Sequence, residues 1–177
     1  RELIRGWTAG WYEAPIRIGE KIARLLGAGP GQVVVSDATT VNLFKLAVAA
    51  LRARPERQVI VSDTLNFPSD LYVLQGCVDL LGNRHTLRLV PARDDGSVDP
   101  AALHAAIDEQ VALVTLSHVT FKSGFLYDMA AVTRRAHEMG ALVLWDLSHS
   151  VGAVPLALDR CDVDLAVGCT YKYLSGG

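Results

Sequence analysis

Six short apolar runs, separated by amphipathic stretches of helical length, constrain this chain more than any other feature. Residues 33–36, 59–62, 86–90, 112–116, 141–145 and 165–168 are rich in valine, leucine, isoleucine and alanine in near-continuous series. Runs that are apolar throughout, not at every second place, belong to strands covered on both faces. The gaps carry helical periodicity. Residues 16–26 are apolar at Ile18, Ile22, Leu25 and Leu26, and residues 41–51 at Leu43, Phe44, Ala47, Val48 and Leu51. Further helices are predicted over 70–81, 100–107 and 129–139. Asp99-Pro100 has the form of an N-cap followed by proline at N1, Gly140 that of a helix stop, and Asp94-Asp95-Gly96-Ser97 that of a turn. Strand–helix alternation at this spacing predicts an α/β fold around a mainly parallel sheet. In such sheets ligands gather beyond the carboxyl ends of the strands.

The composition suits that fold. The chain has 177 residues, half of them hydrophobic, enough for one domain with a substantial core. The formal net charge of −2 gives no electrostatic ground for binding nucleic acid or an anionic membrane. No run approaches the roughly 20 apolar residues of a membrane span. The charged start at Arg1 is not followed by the apolar region of a signal peptide. It also lacks an initiator Met, so the chain is expected to begin inside a longer protein. Cys77, Cys161 and Cys169 are odd in number and far apart, as expected of free thiols in the cytoplasm. Arg52, Arg54 and Arg57 read as a complement to a helix dipole, not as a nucleic-acid patch.

The residues that carry chemistry follow the apolar runs. Lys172 lies in Cys169-Thr170-Tyr171-Lys172-Tyr173-Leu174-Ser175-Gly176-Gly177, after the last run and beside a glycine pair. Asp146 ends the run 141–145, and His149 stands three residues on. A lysine able to form a Schiff base, with a carboxylate to keep a pyridine nitrogen protonated, is what a pyridoxal 5'-phosphate (PLP) enzyme requires. The ordinary alternatives are a solvated lysine and a turn-capping aspartate. His149 has no second His or Cys at ligand spacing, so no metal is expected. Thr39 and Thr40 follow the run 33–36 and open a helix whose N–H groups would suit the cofactor phosphate; the plain reading is a threonine N-cap. Leu26-Gly27-Ala28-Gly29-Pro30-Gly31 follows a helix and precedes a strand, the reverse of a dinucleotide fingerprint. His118 and Lys122 read as a core histidine and a solvated charge.

The segments Gly10-Trp11-Tyr12-Glu13-Ala14-Pro15, Asn66-Phe67-Pro68-Ser69-Asp70, 145–155 and 169–177 together resemble the kynureninase family. These are PLP enzymes of the aspartate-aminotransferase fold. The resemblance implies a three-layer α/β/α architecture of fold type I. Residues 1–177 would form a single domain, most of the PLP-binding large domain, with an N-terminal segment and a C-terminal small domain lying outside it. It implies Lys172 as the Schiff-base lysine, Asp146 at the pyridine nitrogen and His149 beside the cofactor. It further implies Phe67 stacked on the ring, with Pro68, Ser69 and Asp70 in the same pocket. Ser117 would approach the cofactor O3′, and Tyr171 would contact the phosphate and take part in proton transfer. Phe67 stands where cysteine desulfurases and related enzymes generally carry histidine. The implied reaction is hydrolysis of the amino acid L-kynurenine, or its 3-hydroxy form, to an anthranilate and L-alanine in tryptophan degradation, by a homodimer. The alternatives are a cysteine desulfurase-like or other class V PLP enzyme, and a non-catalytic PLP-binding fragment.

Overall fold

The computed structural model describes residues 3–176. Arg1 and Glu2, and Gly177 of the glycine pair beside Lys172, lie outside the described residues. After a short helix α1 (Leu3–Gly6) and a kinked π-helical stretch over Trp7–Trp11, the elements run α2 (Ala14–Leu26), α3 (Thr39–Ala53), β1 (Val59–Asp63), α4 (Pro68–Leu80), β2 (Thr86–Val90) and α5 (Pro100–Ala106). They continue with β3 (Val111–Ser117), α6 (Met129–Glu138), β4 (Leu142–Asp146) and β5 (Leu165–Val167). The five strands form one parallel sheet in the order β2-β1-β3-β4-β5.

Two apolar clusters explain why the runs are apolar throughout. One face of the sheet, with Ile60, Leu113 and Leu144, packs against Leu43, Ala47 and Leu51 of α3 and Leu74 and Cys77 of α4. The other, with Val61, Val114 and Trp145, packs against Leu103 of α5 and Met129 and Ala136 of α6. All seven residues of β3 are buried, as a central strand in a three-layer α/β/α stack requires. Burial at roughly 25 cal/mol per Å² makes these two interfaces the main source of stability.

Local signals are realised where predicted. The Asp99 side chain accepts from the Ala101 N–H, with Pro100 at N1. Gly140 has φ +77°, and a Cβ there would lie 2.5 Å from the Arg57 guanidinium. Asp95 closes its turn by accepting from Ser97 N–H. Gly27 caps α2 in the left-handed conformation, which accounts for the glycine-rich stretch without a nucleotide. Arg54 and Arg57 do more than complement a dipole: Arg54 donates to Gly140 O, and Arg57 to Val111 O and Met139 O.

One strand prediction fails. Residues 33–36 form no strand. Val35 N–H donates to Pro15 O in the first turn of α2, and Val34 is exposed. Three valines in a row favour extended backbone, but a strand also needs a neighbour for its N–H and C=O groups, and none of the five strands pairs with it. Thr39 and Thr40 therefore follow an extended loop, not a strand end.

Candidate active site

The order in which strands are added reverses between β1 and β3: the chain steps from β1 outward to β2, then returns to β3, β4 and β5. The crevice beyond the strand ends at such a point is where α/β sheets hold ligands. Ser117 ends β3 and Asp146 ends β4, and the two are register partners. Partnered residues leave the same face, so the hydroxyl stands 3.4 Å from Asp146 Oδ2. Asp146 is buried; its Oδ1 accepts the Ser148 N–H at 2.9 Å, a turn that carries the chain on to His149.

The turn after β1 supplies the next group. Asp63 is buried and accepts from Leu65 N–H and from the Tyr127 hydroxyl at 2.7 Å, which ties this turn to the segment before α6. Asn66 then accepts from Phe67 N–H at 2.9 Å. Phe67 is the extended residue ahead of α4, Pro68 occupies its first turn, and Asp70 faces inward from the same turn. Asp70 is 2% exposed, and its Oδ2 has no hydrogen-bond partner among the described residues. Burial, and then the Asp146 charge beside it, push its carboxyl up to about 7. Ser69 Oγ donates to the other oxygen at 3.4 Å.

Lys172 arrives from the loop after β5. Thr170 O accepts from the N–H groups of Leu174 and Gly176, curling the loop back on itself. Gly152, at φ +83°, lets the next segment lie against it; a Cβ there would sit 2.7 Å from Tyr173 O. Lys172 Nζ lies 5.3 Å from the Phe67 ring centroid and 5.7 Å from that of Tyr171. The His149 ring is 6.2 Å from Phe67, tilted 40°. Burial, then the Lys172 ammonium, lower the His149 pKa, so its imidazole is neutral at neutral pH. Its buried Nδ1 has no partner.

Six of the sequence candidates thus converge: Phe67, Asp70, Ser117, Asp146, His149 and Lys172. Ser69 touches the group through Asp70. Pro68 is exposed and serves to start α4. Tyr171 is 66% exposed, its phenol pKa raised by the Cys169 thiol beside it. Thr39 and Thr40 stand apart from the carboxylates. They line a groove of about 850 Å³ with Asp37, Gly168, Thr170 and Tyr171. The N-cap of α3 is Ala38, not a threonine, and no side chain caps the helix. Its first N–H groups therefore have no side-chain cap as acceptor. Thr39 Oγ1 instead donates to Gly168 O, fixing this helix start to the end of β5. His118 is the buried core histidine expected, packed on Trp145, although its Nδ1 is unpartnered; Lys122 is exposed.

Two residues of the site escaped the sequence reading. Phe121 meets Phe67 edge-on at 5.1 Å and lies 6.4 Å from His149. The signal for it was a short Gly-containing turn after β3, which places its tip over the strand ends. Asn66 is the other; it read as part of a motif, without a role.

The raised Asp70 carboxyl has a measurable consequence. Unfolded chains lose this proton near pH 4, whereas the folded protein keeps it until about pH 7. Its contribution to stability is therefore full below about pH 4 and is lost as the pH rises to about 7. Asp70→Asn is expected to stabilise the cofactor-free protein above pH 7, by up to about 4 kcal/mol. At about 2–4 °C per kcal/mol that is up to about 8–16 °C in Tm. Thermal unfolding at intervals from pH 4 to pH 8 should show the gain growing across that window; an equal Tm at pH 8 refutes it.

Residues 12–176 match the family described as aminotransferase class-V. The chain belongs to that family. Among its curated relatives, kynureninase from Pseudomonas fluorescens is 50% identical over 99% of this chain and 42% of its own length. Kynureninase from Burkholderia pseudomallei (strain 1106a) is 47% identical with the same coverage. The chain thus spans less than half the length of these relatives. Among solved structures, a NifS-like protein superposes with TM-score 0.78 at 21% identity, covering 88% of this chain and 43% of that one. The apo cysteine desulfurase of Thermococcus onnurineus NA1 gives 0.81 at 22%, covering 92% and 40%. At those identities the class V fold is what is shared. No helix among the described residues is long and apolar enough to cross a membrane.

Proposed function

We propose that the protein carrying this chain is a PLP-dependent kynureninase, hydrolysing L-kynurenine or 3-hydroxy-L-kynurenine to the corresponding anthranilate and L-alanine. The observation that carries this reading is the convergence of Lys172, Asp146, Asp70 and Phe67 at the strand ends of a chain 50% identical to a kynureninase. Phe67, where desulfurases generally have histidine, favours it over the chemistry of the solved fold neighbours.

The residues fit the cofactor. Among the described residues Asp146 Oδ2 accepts no N–H, and Asp70 Oδ2 and His149 Nδ1 are buried without partners at the same place. These are the needs of a site built for a protonated heteroaromatic ring. Asp146 and Asp70 would hold the ring nitrogen, Phe67 and His149 the ring faces, and the α3 N-terminus with Thr39, Thr40 and Tyr171 the phosphate. When bound, PLP supplies an electrophilic carbon for the substrate amine and a ring that withdraws electrons from its α-carbon.

The protein's own groups then have defined work. Lys172 Nζ supplies the nucleophilic amine and, once released, a proton carrier at the substrate α-carbon. Asp146 keeps the proton on the ring nitrogen, and Asp70, protonated up to about pH 7, avoids a second adjacent charge. The Tyr171 phenol, its pKa raised first by Cys169 beside it, stays protonated, and a cation beside it or the phosphate network would have to lower that pKa for it to give up its proton. One water is consumed as the bond between the γ-carbonyl and the β-carbon breaks. The aryl acid leaves, and the three-carbon fragment takes up a proton to become alanine.

We further propose that residues 1–177 form a single domain, most of the cofactor-binding large domain, and that groups outside them hold the substrate carboxylate. The 42% share of the relatives' length supports this. Three free thiols suit the cytoplasm, and the exposed Leu3, Ile4, Trp7, Trp11 and Tyr12 suit a homodimer. Anthranilate fluorescence tests the function. The full-length protein should form it from kynurenine, and residues 1–177 alone about 100-fold more slowly or worse, because substrate orientation is lost. No product from either kynurenine ends the substrate assignment; alanine from cysteine, with the sulfur released as sulfide when a thiol reductant is added, would transfer it to the desulfurase reading.

A further inference from the structure

Asn66 is 2% exposed and makes four hydrogen bonds among the described residues, two to Phe67 and Ser117 at the crevice and two to Ser62 and Thr115 within β1 and β3. Its Oδ1 accepts from Phe67 N–H at 2.9 Å and from Ser117 Oγ at 2.8 Å. Its Nδ2 donates to Ser62 Oγ at 3.0 Å and to Thr115 O at 3.5 Å. Two of these partners are backbone groups with a fixed sense. An N–H can only donate and a carbonyl only accept, so the amide cannot be flipped. The oxygen must face Phe67 and Ser117. Ser117 must therefore donate to it, and a serine hydroxyl has one hydrogen.

That hydrogen has a second acceptor within reach, Asp146 Oδ2, at 3.4 Å. The 2.8 Å contact wins it. Asp146 Oδ1 is already engaged by Ser148 N–H. The carboxylate is thus anchored through one oxygen while the other faces the crevice without the Ser117 proton. We infer that Asn66 is a positioning residue: by taking the Ser117 hydrogen it keeps Asp146 Oδ2 open for the N–H of the cofactor ring, and by the same oxygen it sets the backbone of Phe67. This rests on the PLP reading above and adds to it the arrangement that prepares the carboxylate before the cofactor arrives.

The consequence is a particular non-additivity. In Asn66→Ala the Ser117 hydroxyl loses its acceptor and turns to Asp146, where it competes with the cofactor. Removing that hydroxyl as well ends the competition. PLP affinity, titrated by absorbance in the full-length protein, is expected to fall about tenfold in Asn66→Ala and to recover to within about threefold in Asn66→Ala/Ser117→Ala. Asn66→Asp keeps the acceptor and loses both donors; it should hold PLP within about threefold of the unaltered protein while unfolding at lower urea. A merely structural Asn66 predicts the opposite, with the double variant no better than the single and affinity following stability. Unaltered affinity in Asn66→Ala, a double variant as weak as the single, or an Asn66→Asp as weak as Asn66→Ala each overturns the proposal. If Asn66→Ala does not fold, Asn66→Asp decides alone. An unaltered protein that takes up no PLP instead overturns the functional reading beneath it.

Discussion

Lys172→Ala in the full-length protein is expected to cut anthranilate formation by about 1,000-fold or more, the scale of losing a covalent nucleophile that is also a proton carrier. The expectation comes from position. Lys172 Nζ lies 5.3 Å from the centre of Phe67, inside the crevice, whereas the nearby Lys122 is exposed on the turn after β3. Gly152 and the Thr170 carbonyl hold the loop so that its amine turns inward. Borohydride reduction of the PLP-loaded protein and peptide mapping should put the pyridoxyl label on Lys172. A label on Lys122, or none, sinks the assignment. Lys172→Arg should be no better than Ala, because a guanidinium keeps the charge but cannot act as the nucleophile.

Asp146→Ala is expected to lower turnover by a comparable factor for a different reason. The ring withdraws electrons from the substrate only while its nitrogen is protonated, and a neighbouring carboxylate is what favours that proton. Asp70 is too weak a substitute in the unaltered protein, since burial and the Asp146 charge keep it protonated up to about pH 7. With Asp146 gone, burial, the larger cause of that raised pKa, remains, so Asp70 stays a poor carboxylate for the ring nitrogen. Asp146→Ala should therefore keep some cofactor, held by Asp70, while losing the reaction. Measured as kcat against bound PLP, near-normal turnover at normal cofactor content would rule out the role. Asp146→Glu, which lengthens the arm by one methylene, should recover part of the loss; no recovery would show that the effect was one of packing.

Much of the sheet was legible because its strands are covered on both faces. Burial on both sides leaves a continuous apolar run, and four of the five strands in the sheet lie within two residues of those runs at either end. The fifth, Thr86–Val90, carries an exposed threonine and Arg88, yet its ends also agree, since β-branched and aliphatic residues bound it. Helix ends were legible where a specific group closes them, as at Asp99 and Gly140. Residues 33–36 show the limit: their apolar character matched a strand, but pairing is a property of two segments, and no described strand lies beside them.

The candidate site divides in the same way. Lys172, Asp146, Asp70 and Phe67 were visible because each follows an apolar run, and because of the motifs around them. The sequence by itself determined the layer order, the strand ends where chemistry collects and the residue types placed there. Only the tertiary structure decided which of those residues meet. Register set Ser117 beside Asp146, the return of the chain past β1 brought Asp70 against it, and the turn after β3 laid Phe121 on Phe67. It also gave Asn66 its four partners, from positions 62, 67, 115 and 117. The physical reason is range. Propensity and periodicity act over a few residues, while a shared proton or a buried pair of carboxylates depends on distances of about 3 Å between segments far apart in the chain.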